Sequence, residues 1–177
     1  TRARLKALLM SSQLTAPALK VFSVHWGPNY SWHPSSEIRS LAHFLIDECD
    51  VDIIHGHSSH HVQGVEKHNG KLIIYGCGDF VDDYAVTREY RNDLSAIWRV
   101  TVAGTEDVED RPREKLVLKR LEIFPTRIRL FQAERLSVQD RDHEWVRDKI
   151  IQLSNEYGTE VRRALEDEGQ LVVDLDG

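Results

Sequence analysis

The sequence lacks the features that are typical of membrane-spanning, secreted and nucleic-acid-binding chains. Its 177 residues include no apolar run near the roughly 18 residues that cross a bilayer. Residues 1–10 are basic, but their apolar stretch is too short for a secretory signal and has no cleavage pattern. The net charge of -6 argues against nucleic acid as the main partner, because phosphate binding favours a basic face. An anionic substrate would therefore need a local cation, such as a bound metal.

Several kinds of catalytic motif are also absent. The two cysteines, Cys49 and Cys77, have no CxxC spacing and do not make a disulfide framework, so buried thiols are expected. No GxSxG segment supplies an acyl-transfer serine, and no P-loop is present. Residues 75–80, "YGCGDF", lack the GxGxxG spacing and following helix of a dinucleotide site. A nucleophilic role for Cys77 stays open as an alternative.

Histidine, by contrast, is concentrated in one short segment. Residues 55–64, "HGHSSHHVQG", contain four of the nine histidines. Neutral imidazole is a common ligand for zinc, manganese and iron, although a single loop histidine is more often solvated. Structural roles alone are assigned to four histidines elsewhere: His33, His43, His68 and His143.

The segment before this cluster predicts a βαβ unit. Residues 20–25, "KVFSVH", and 51–54, "VDII", are typical of short buried strands, and residues 36–48 place apolar side chains at helical spacing. A strand, helix and strand with short links form a right-handed crossover with parallel strands. The carboxyl ends of such strands meet at one edge of the sheet, where open α/β folds bind ligands.

This topology predicts which side chains share the ligand-binding edge. His25 ends the first strand and His57 follows the second, so both are expected there, with His60 as the next candidate. His55 and His61 are expected to face the other way, either packing or hydrogen-bonding to ligands. Asp79 is the best-placed carboxylate, whereas Asp82 and Asp83 are interpreted as a solvated or capping pair. Three aromatic side chains could wall a pocket or pack in the core: Trp26, Tyr30 and Trp32.

The rest of the chain predicts further strands and two helices. Asn69-Gly70 is typical of a type I′ hairpin turn. Strands are predicted at 95–102, at 115–124 and 127–136 on either side of Pro125, and at 170–175, with a loop at 103–114. Helices are predicted at 140–154 and 157–168. The whole is interpreted as one α/β domain over residues 20–177, preceded by a helix or linker at 1–19.

Four segments together carry a family resemblance: "VHWGPNY", "GHSSHHVQGVE", "GKLIIYGCGDFVDDY" and "LSNEYGT". They resemble the bacterial capsule-synthesis, CapA-type family linked to poly-γ-glutamate, within the metallophosphoesterase-like superfamily of calcineurin-type folds. The resemblance covers residues 20–174. It implies part of a four-layer α/β/β/α sandwich, a dinuclear centre of Mn, Fe or Zn, and hydrolysis of a phosphoester or a poly-γ-glutamate-related substrate.

The resemblance also implies roles for single residues. His25, His57 and His60 would be catalytic and would bind metal. Five others would bind substrate or support the ligands: Trp26, Tyr30, Gln63, Glu66 and Asp79. Gly78 matches the family pattern, whereas Asp79 stands where the family usually has asparagine.

The family's upstream Gly-Asp and Asn segments, which supply further ligands, are not found before residue 20. The chain thus resembles the carboxyl-terminal half of the domain. Three explanations stay open: the chain was cut from a longer polypeptide, a second chain carries the other half, or the chain is a degenerate remnant. The first is favoured. A scaffold or polymer-binding role in a capsule assembly is the alternative to catalysis, and dimerisation that completes the fold is a third hypothesis. The compartment stays open between the cytoplasm and the outer face of the membrane.

Overall fold

A computed structural model of the protein describes residues 1–11, 17–104, 115–164 and 169–176. In chain order the elements are α1 Arg2–Ser11, β1 Val21–His25, α2 Ser36–Cys49, β2 Ile53–His57, β3 Val65–His68, β4 Lys71–Ile74, β5 Leu94–Gly104, β6 Leu116–Arg129, β7 Gln132–Arg135, α3 Arg141–Asn155, β8 Arg162–Arg163 and β9 Leu171–Asp174. The described chain is therefore a mixed α/β fold, as the sequence predicts.

The predicted βαβ unit is confirmed. Strands β1 and β2 pair in parallel, and the first sheet has the order β1-β2-β4-β3. Helix α2 begins after Ser35, whose Oγ accepts a hydrogen bond from the backbone N–H of Ile38, and it ends at Asp50 in the left-handed region. Strand β2 begins at Ile53, two residues later than expected, and continues through His57.

The predicted hairpin is also confirmed. Strands β3 and β4 are antiparallel and are joined by the two residues Asn69 and Gly70. Both have positive φ, 49° and 71°, as a type I′ turn requires. The turn fixes the register, so that Glu66 lies opposite Ile73.

The second sheet corrects one prediction. Its order is β5-β6-β9-β8, with β7 paired to β6, and β6 runs through Pro125 instead of ending there. The carbonyl of Pro125 accepts a hydrogen bond from the N–H of Leu136, so the proline nitrogen faces that side of β6. There β9 pairs only up to Ile123 and β7 only from Thr126, so the missing N–H of proline falls at the junction between the two ladders.

The carboxyl-terminal region corrects a second prediction from the sequence. The helix predicted at 140–154 is confirmed as α3, but the second helix predicted at 157–168 is wrong for the residues described there. Gly158 has a φ of +71°, Val161 is buried, and β8 pairs with β9. Pairing with the sheet therefore replaces helix formation. Residues 165–168, and most of the loop predicted at 103–114, lie outside the described residues, and 103–104 belong to β5.

Two apolar cores hold the elements together. Helix α2 packs on one face of the first sheet through Leu45, Ile54 and Tyr75. The other face packs against the second sheet, with α3 contributing Val146 and Ile150. The four-layer arrangement implied by the family resemblance stays a prediction. No helix in the described ranges has both the length and the apolar character to cross a membrane.

Candidate metal-binding site

His25 and His57 lie side by side at the edge predicted from the sequence. They are the last residues of β1 and β2 and are register partners in the parallel pairing. Their rings contact edge to face, with centroids 5.3 Å apart. Register partners on parallel strands project to the same face of a sheet, so both imidazoles border one space.

His55 joins this pair, contrary to the expectation that it faces away. Its ring centroid lies 5.7 Å from that of His57, and its Nδ1 lies 3.1 Å from Oγ of Ser23. The expectation was wrong because β2 extends through His57, and residues two apart in a strand share a face. The site therefore contains three imidazoles on one face of the first sheet.

The surroundings favour the neutral form of His55 and His57. Burial lowers the pKa of His57, and the neighbouring rings of His55 and His25 lower it further. Burial also lowers the pKa of His55. Neutral imidazole has a lone pair to offer to a metal ion, so the local electrostatics suit a ligand role.

His60 forms a separate contact with Asp79. Its Nδ1 lies 2.9 Å from Oδ2 of Asp79, and its ring packs against Tyr30 and Tyr84. Within the described ranges, His25, His57 and His60 do not form a group whose ligand atoms all lie within 4.8 Å of one another. The structure thus brings the first two together and pairs the third with a carboxylate.

Asp82 lies beside the His60–Asp79 pair and interacts with the carboxylate of Asp79. The sequence had predicted only a solvated or capping role for Asp82. Burial and the adjacent carboxylate of Asp79 raise the pKa of Asp82 to about 6. A neighbouring carboxylate disfavours the ionised form of Asp82. The available signal was the spacing of the two aspartates, which are separated by Phe80 and Val81. Only the structure, with a bend at residues 80 and 81, shows that this spacing brings them together.

The remaining candidates lie away from the imidazole pair. The indole of Trp26 stacks on Tyr75 and donates to its carbonyl oxygen, on the α2 side of the first sheet. Glu66 lies on the same side, because its register partner Ile73 belongs to the α2 core. Gln63 is buried and donates to the carbonyl of Ser31 at 2.5 Å.

His61 has the packing role that was expected for it. The side chain is fully buried between Trp32 and Tyr90. Burial lowers the pKa of His61 to about 4, so this ring is neutral at physiological pH. The aromatic side chain of Trp32 thus contributes to packing, through its contacts with His61 and Tyr90.

A groove of about 540 Å³ adjoins His55 between the two sheets. Its walls are mostly apolar and include Val21 of β1 and Ile97 of β5, the outer strands of the described sheets. Both side chains are exposed, by 55% and 41%. Cys77 also lines the groove, but burial raises the pKa of its thiol to about 11, which disfavours a nucleophilic thiolate.

One further cluster of metal-binding residue types lies on the opposite side of the first sheet. His43, Glu66 and His68 each offer a ligand atom, and these atoms lie within 4.8 Å of one another. Among the described residues no other such group of three or more is found. Sequence reasoning missed it because His43 and His68 are 25 positions apart and belong to different elements.

Comparisons with known proteins agree with the resemblance seen in the sequence. Residues 1–84 match the family described as bacterial capsule synthesis protein PGA_cap. A probable polyglutamine synthesis accessory protein of Mycobacterium tuberculosis is 34% identical over 143 residues, which cover 81% of this chain and 35% of that protein. The chain belongs to the bacterial capsule-synthesis, CapA-type family.

A second relative supports the same assignment. The PGA biosynthesis protein CapA of Bacillus subtilis is 40% identical over 92 residues, which cover 52% of this chain and 24% of that protein. The chain thus spans about a third or less of the length of these relatives.

Proposed function

We propose that this capsule-synthesis chain provides part of the metal centre of a hydrolase-like domain that acts on a phosphoester or a poly-γ-glutamate-related substrate. The observation that carries the proposal is the contact between His25 and His57, in register at the carboxyl ends of two parallel strands. Ligands of open α/β folds bind at this edge. The names of the relatives support the setting in capsule or polyglutamate synthesis.

The residues present fit a divalent cation of the Mn, Fe or Zn type. His25 and His57 offer imidazole nitrogens from separate strands, and the lowered pKa of His57 favours its neutral form. When bound, such a cation would polarise a phosphoryl or acyl oxygen and lower the pKa of a water molecule. His25 and His57 are the proposed ligands, and His55, held near Ser23, is the imidazole beside them.

His60 and Asp79 have a proposed role in handling charge and protons. Asp79 accepts from Nδ1 of His60, which orients the ring. Nε2 is then the atom that would bind the cation or hold a proton for a leaving group. Tyr30 packs on this ring and limits its rotation.

Completion of the site requires residues from outside the described part of the chain. Among the described residues, no carboxylate joins the imidazoles at this edge in a group of three closely spaced metal ligands. The groove beside them is apolar and bordered by the outer strands β1 and β5, which suits a packed protein segment better than a polyanion. We infer that a further segment or a second chain covers this groove and adds the missing ligands.

Metal binding by the purified, untagged chain tests the proposal. Mn²⁺ or Zn²⁺ is titrated calorimetrically into wild type, His25→Ala and His57→Ala, with His33→Ala as the matched control. His33 is exposed and pairs with Glu156, away from the site. We expect each site variant to lose one bound equivalent and the control to keep it. Equal stoichiometry in all four proteins would contradict the proposal.

Non-catalytic binding of the polymer is the second candidate. The observation in its favour is that His25 and His57 belong to no complete ligand group in the described ranges. It predicts metal-independent retention of the chain on immobilised poly-γ-glutamate and no hydrolysis of p-nitrophenyl phosphate with Mn²⁺. Metal-dependent hydrolysis that is lost in His57→Ala supports the enzyme instead.

A further inference from the structure

We propose a second divalent-cation site, formed by His43, Glu66 and His68, on the α2 side of the first sheet. It does not depend on the proposed function, because none of these residues borders His25 or His57. The ligand atoms of the three side chains lie within 4.8 Å of one another, and Nε2 of His43 lies 2.8 Å from Oε1 of Glu66.

The local geometry of two elements creates this cluster. Glu66 and His68 are two residues apart on β3 and so project to the same face of the hairpin. His43 projects from α2, which packs on that face. The rings of His43 and His68 stack in parallel, with centroids 3.9 Å apart and planes 3° apart.

Neighbouring groups hold the ligands in place. Oε2 of Glu66 accepts a hydrogen bond of 2.5 Å from the hydroxyl of Tyr75, so Oε1 is the oxygen that faces His43. Asp47, one helical turn after His43, accepts from Nε2 of His68 at 2.9 Å. A carboxylate that accepts from a histidine ring is the arrangement that orients histidine ligands in metal sites.

The ligand types select the class of cation. Two imidazoles and one carboxylate suit Zn²⁺, Co²⁺ or Ni²⁺ better than Mg²⁺ or Ca²⁺, which prefer oxygen ligands. Zinc-ligand distances of about 2.0–2.2 Å place tetrahedral ligand atoms about 3.3–3.6 Å apart, so the side chains need to move inwards by about an ångström. The stacked rings of His43 and His68 also need to turn, so that their in-plane lone pairs point at one ion. Binding requires a lone pair from each imidazole, and the proton that Nε2 of His43 now donates moves to Nδ1 or to solvent.

The site would connect the helix to the hairpin. Glu66 is only 5% exposed, whereas His43 and His68 are partly exposed, so a cation could enter from the histidine side and reach a buried anchor. With three protein ligands, one coordination position is left for water. A cation bound there would stabilise the packing of α2 on β3 and β4.

Cobalt and zinc titrations of the untagged, metal-depleted full chain test this site. We expect wild type to bind Co²⁺ with visible absorption typical of a tetrahedral site, and to unfold at a higher temperature with Zn²⁺. His43→Ala and His68→Ala, each added to His25→Ala so that the site under the proposed function is already removed, should lose that absorption and the thermal shift. His33→Ala is the matched control and should keep both.

Two further variants keep the test decisive. Asp47→Asn, which preserves shape, should weaken zinc binding about 10- to 100-fold by removing the acceptor that orients His68. His25→Ala should keep the cobalt absorption, which separates this site from the one under the proposed function. Wild type that binds no Co²⁺, or absorption of His25→Ala that persists when His43→Ala or His68→Ala is added, would overturn the inference.

Discussion

Two neighbouring tyrosines place their hydroxyl groups in different surroundings. The rings of Tyr75 and Tyr157 contact each other, with centroids 5.1 Å apart. The hydroxyl of Tyr75 donates to buried Glu66, whereas the hydroxyl of Tyr157 is buried and has no hydrogen-bond partner among the described residues. The same chemical change should therefore affect stability differently at the two positions.

We expect Tyr75→Phe to lower the free energy of unfolding by about 1–3 kcal/mol, because it leaves a buried carboxylate oxygen without its donor. Tyr157→Phe should change it little or raise it, because no hydrogen bond is lost. Urea unfolding followed by tryptophan fluorescence measures both values. A larger loss in Tyr157→Phe than in Tyr75→Phe would contradict the assignment of the hydrogen bonds.

A cross-strand ion pair makes stability depend on pH. Arg99 of β5 donates through Nε and Nη2 to both carboxylate oxygens of its register partner Glu122, at 2.8 and 2.7 Å. Hydrogen bonds from Arg99 lower the pKa of Glu122 from its ordinary value of 4.5, more than burial raises it. The folded state thus favours the ionised carboxylate more than the unfolded chain does.

The sign of the effect follows from this lowered pKa. The stabilising contribution should be present above about pH 4.5 and lost as the pH falls through the lower pKa of the folded state. Thermal unfolding between pH 3 and pH 7 measures it, with Glu122→Gln as the comparison. Between pH 7 and pH 3, the melting temperature of Glu122→Gln should fall less than that of wild type. Identical pH profiles for the two proteins would contradict a stabilising Arg99–Glu122 pair.

At the scale of elements, two hairpins use the same turn with different residues. The β3–β4 turn has Asn69 and Gly70, whereas the β6–β7 turn places Leu130 and Phe131 at φ values of 50° and 61°. Left-handed backbone costs about 1–2 kcal/mol for an ordinary residue. The side chains of Leu130 and Phe131 are 81% and 68% exposed, so packing offsets little of this cost.

We therefore expect the double variant Leu130→Asn, Phe131→Gly to unfold at a higher temperature than wild type, by an amount equivalent to about 1–2 kcal/mol. The matched change in the other hairpin, Asn69→Leu with Gly70→Phe, should lower stability by a similar amount. Differential scanning calorimetry measures both. A loss of stability on installing Asn-Gly would contradict the assigned cost of the left-handed backbone at Leu130 and Phe131.

At the scale of the whole molecule, the groove between the sheets has exposed apolar side chains in the part of the chain that the structure describes. Val21 and Ile97 are exposed on the outer strands β1 and β5, and Phe80, also exposed, lines the same groove. Exposed apolar patches at unpaired strand edges favour association with another polypeptide. Without a covering segment, a second copy of the chain is the available partner.

The isolated chain should accordingly self-associate as its concentration rises. Ile97→Lys, which places a charge in the groove, should shift the equilibrium towards monomer, whereas Leu130→Lys on the distant hairpin tip should not. Sedimentation velocity over a range of concentrations distinguishes these outcomes. A wild-type chain that stays monomeric at high concentration would rule out dimerisation through this surface.

The sequence by itself determined the features that depend on local chemistry. Helical spacing in residues 36–48 predicts α2, and Asn69-Gly70 predicts the hairpin, because period and turn conformation are set within a few residues. The meeting of His25 and His57 could also be predicted, since a short crossover forces the two strands to be parallel. The motif segments were specific enough to indicate the family.

Only the tertiary structure decided which other side chains meet. His55 shares the face of His57 because β2 continues beside β1, where the N–H of Trp26 donates to the carbonyl of His57. Pro125 lies inside a strand because two different partners end on either side of it. His43 meets His68 because α2 packs on the hairpin, and such packing follows from the fit of whole elements, which no local period or spacing encodes.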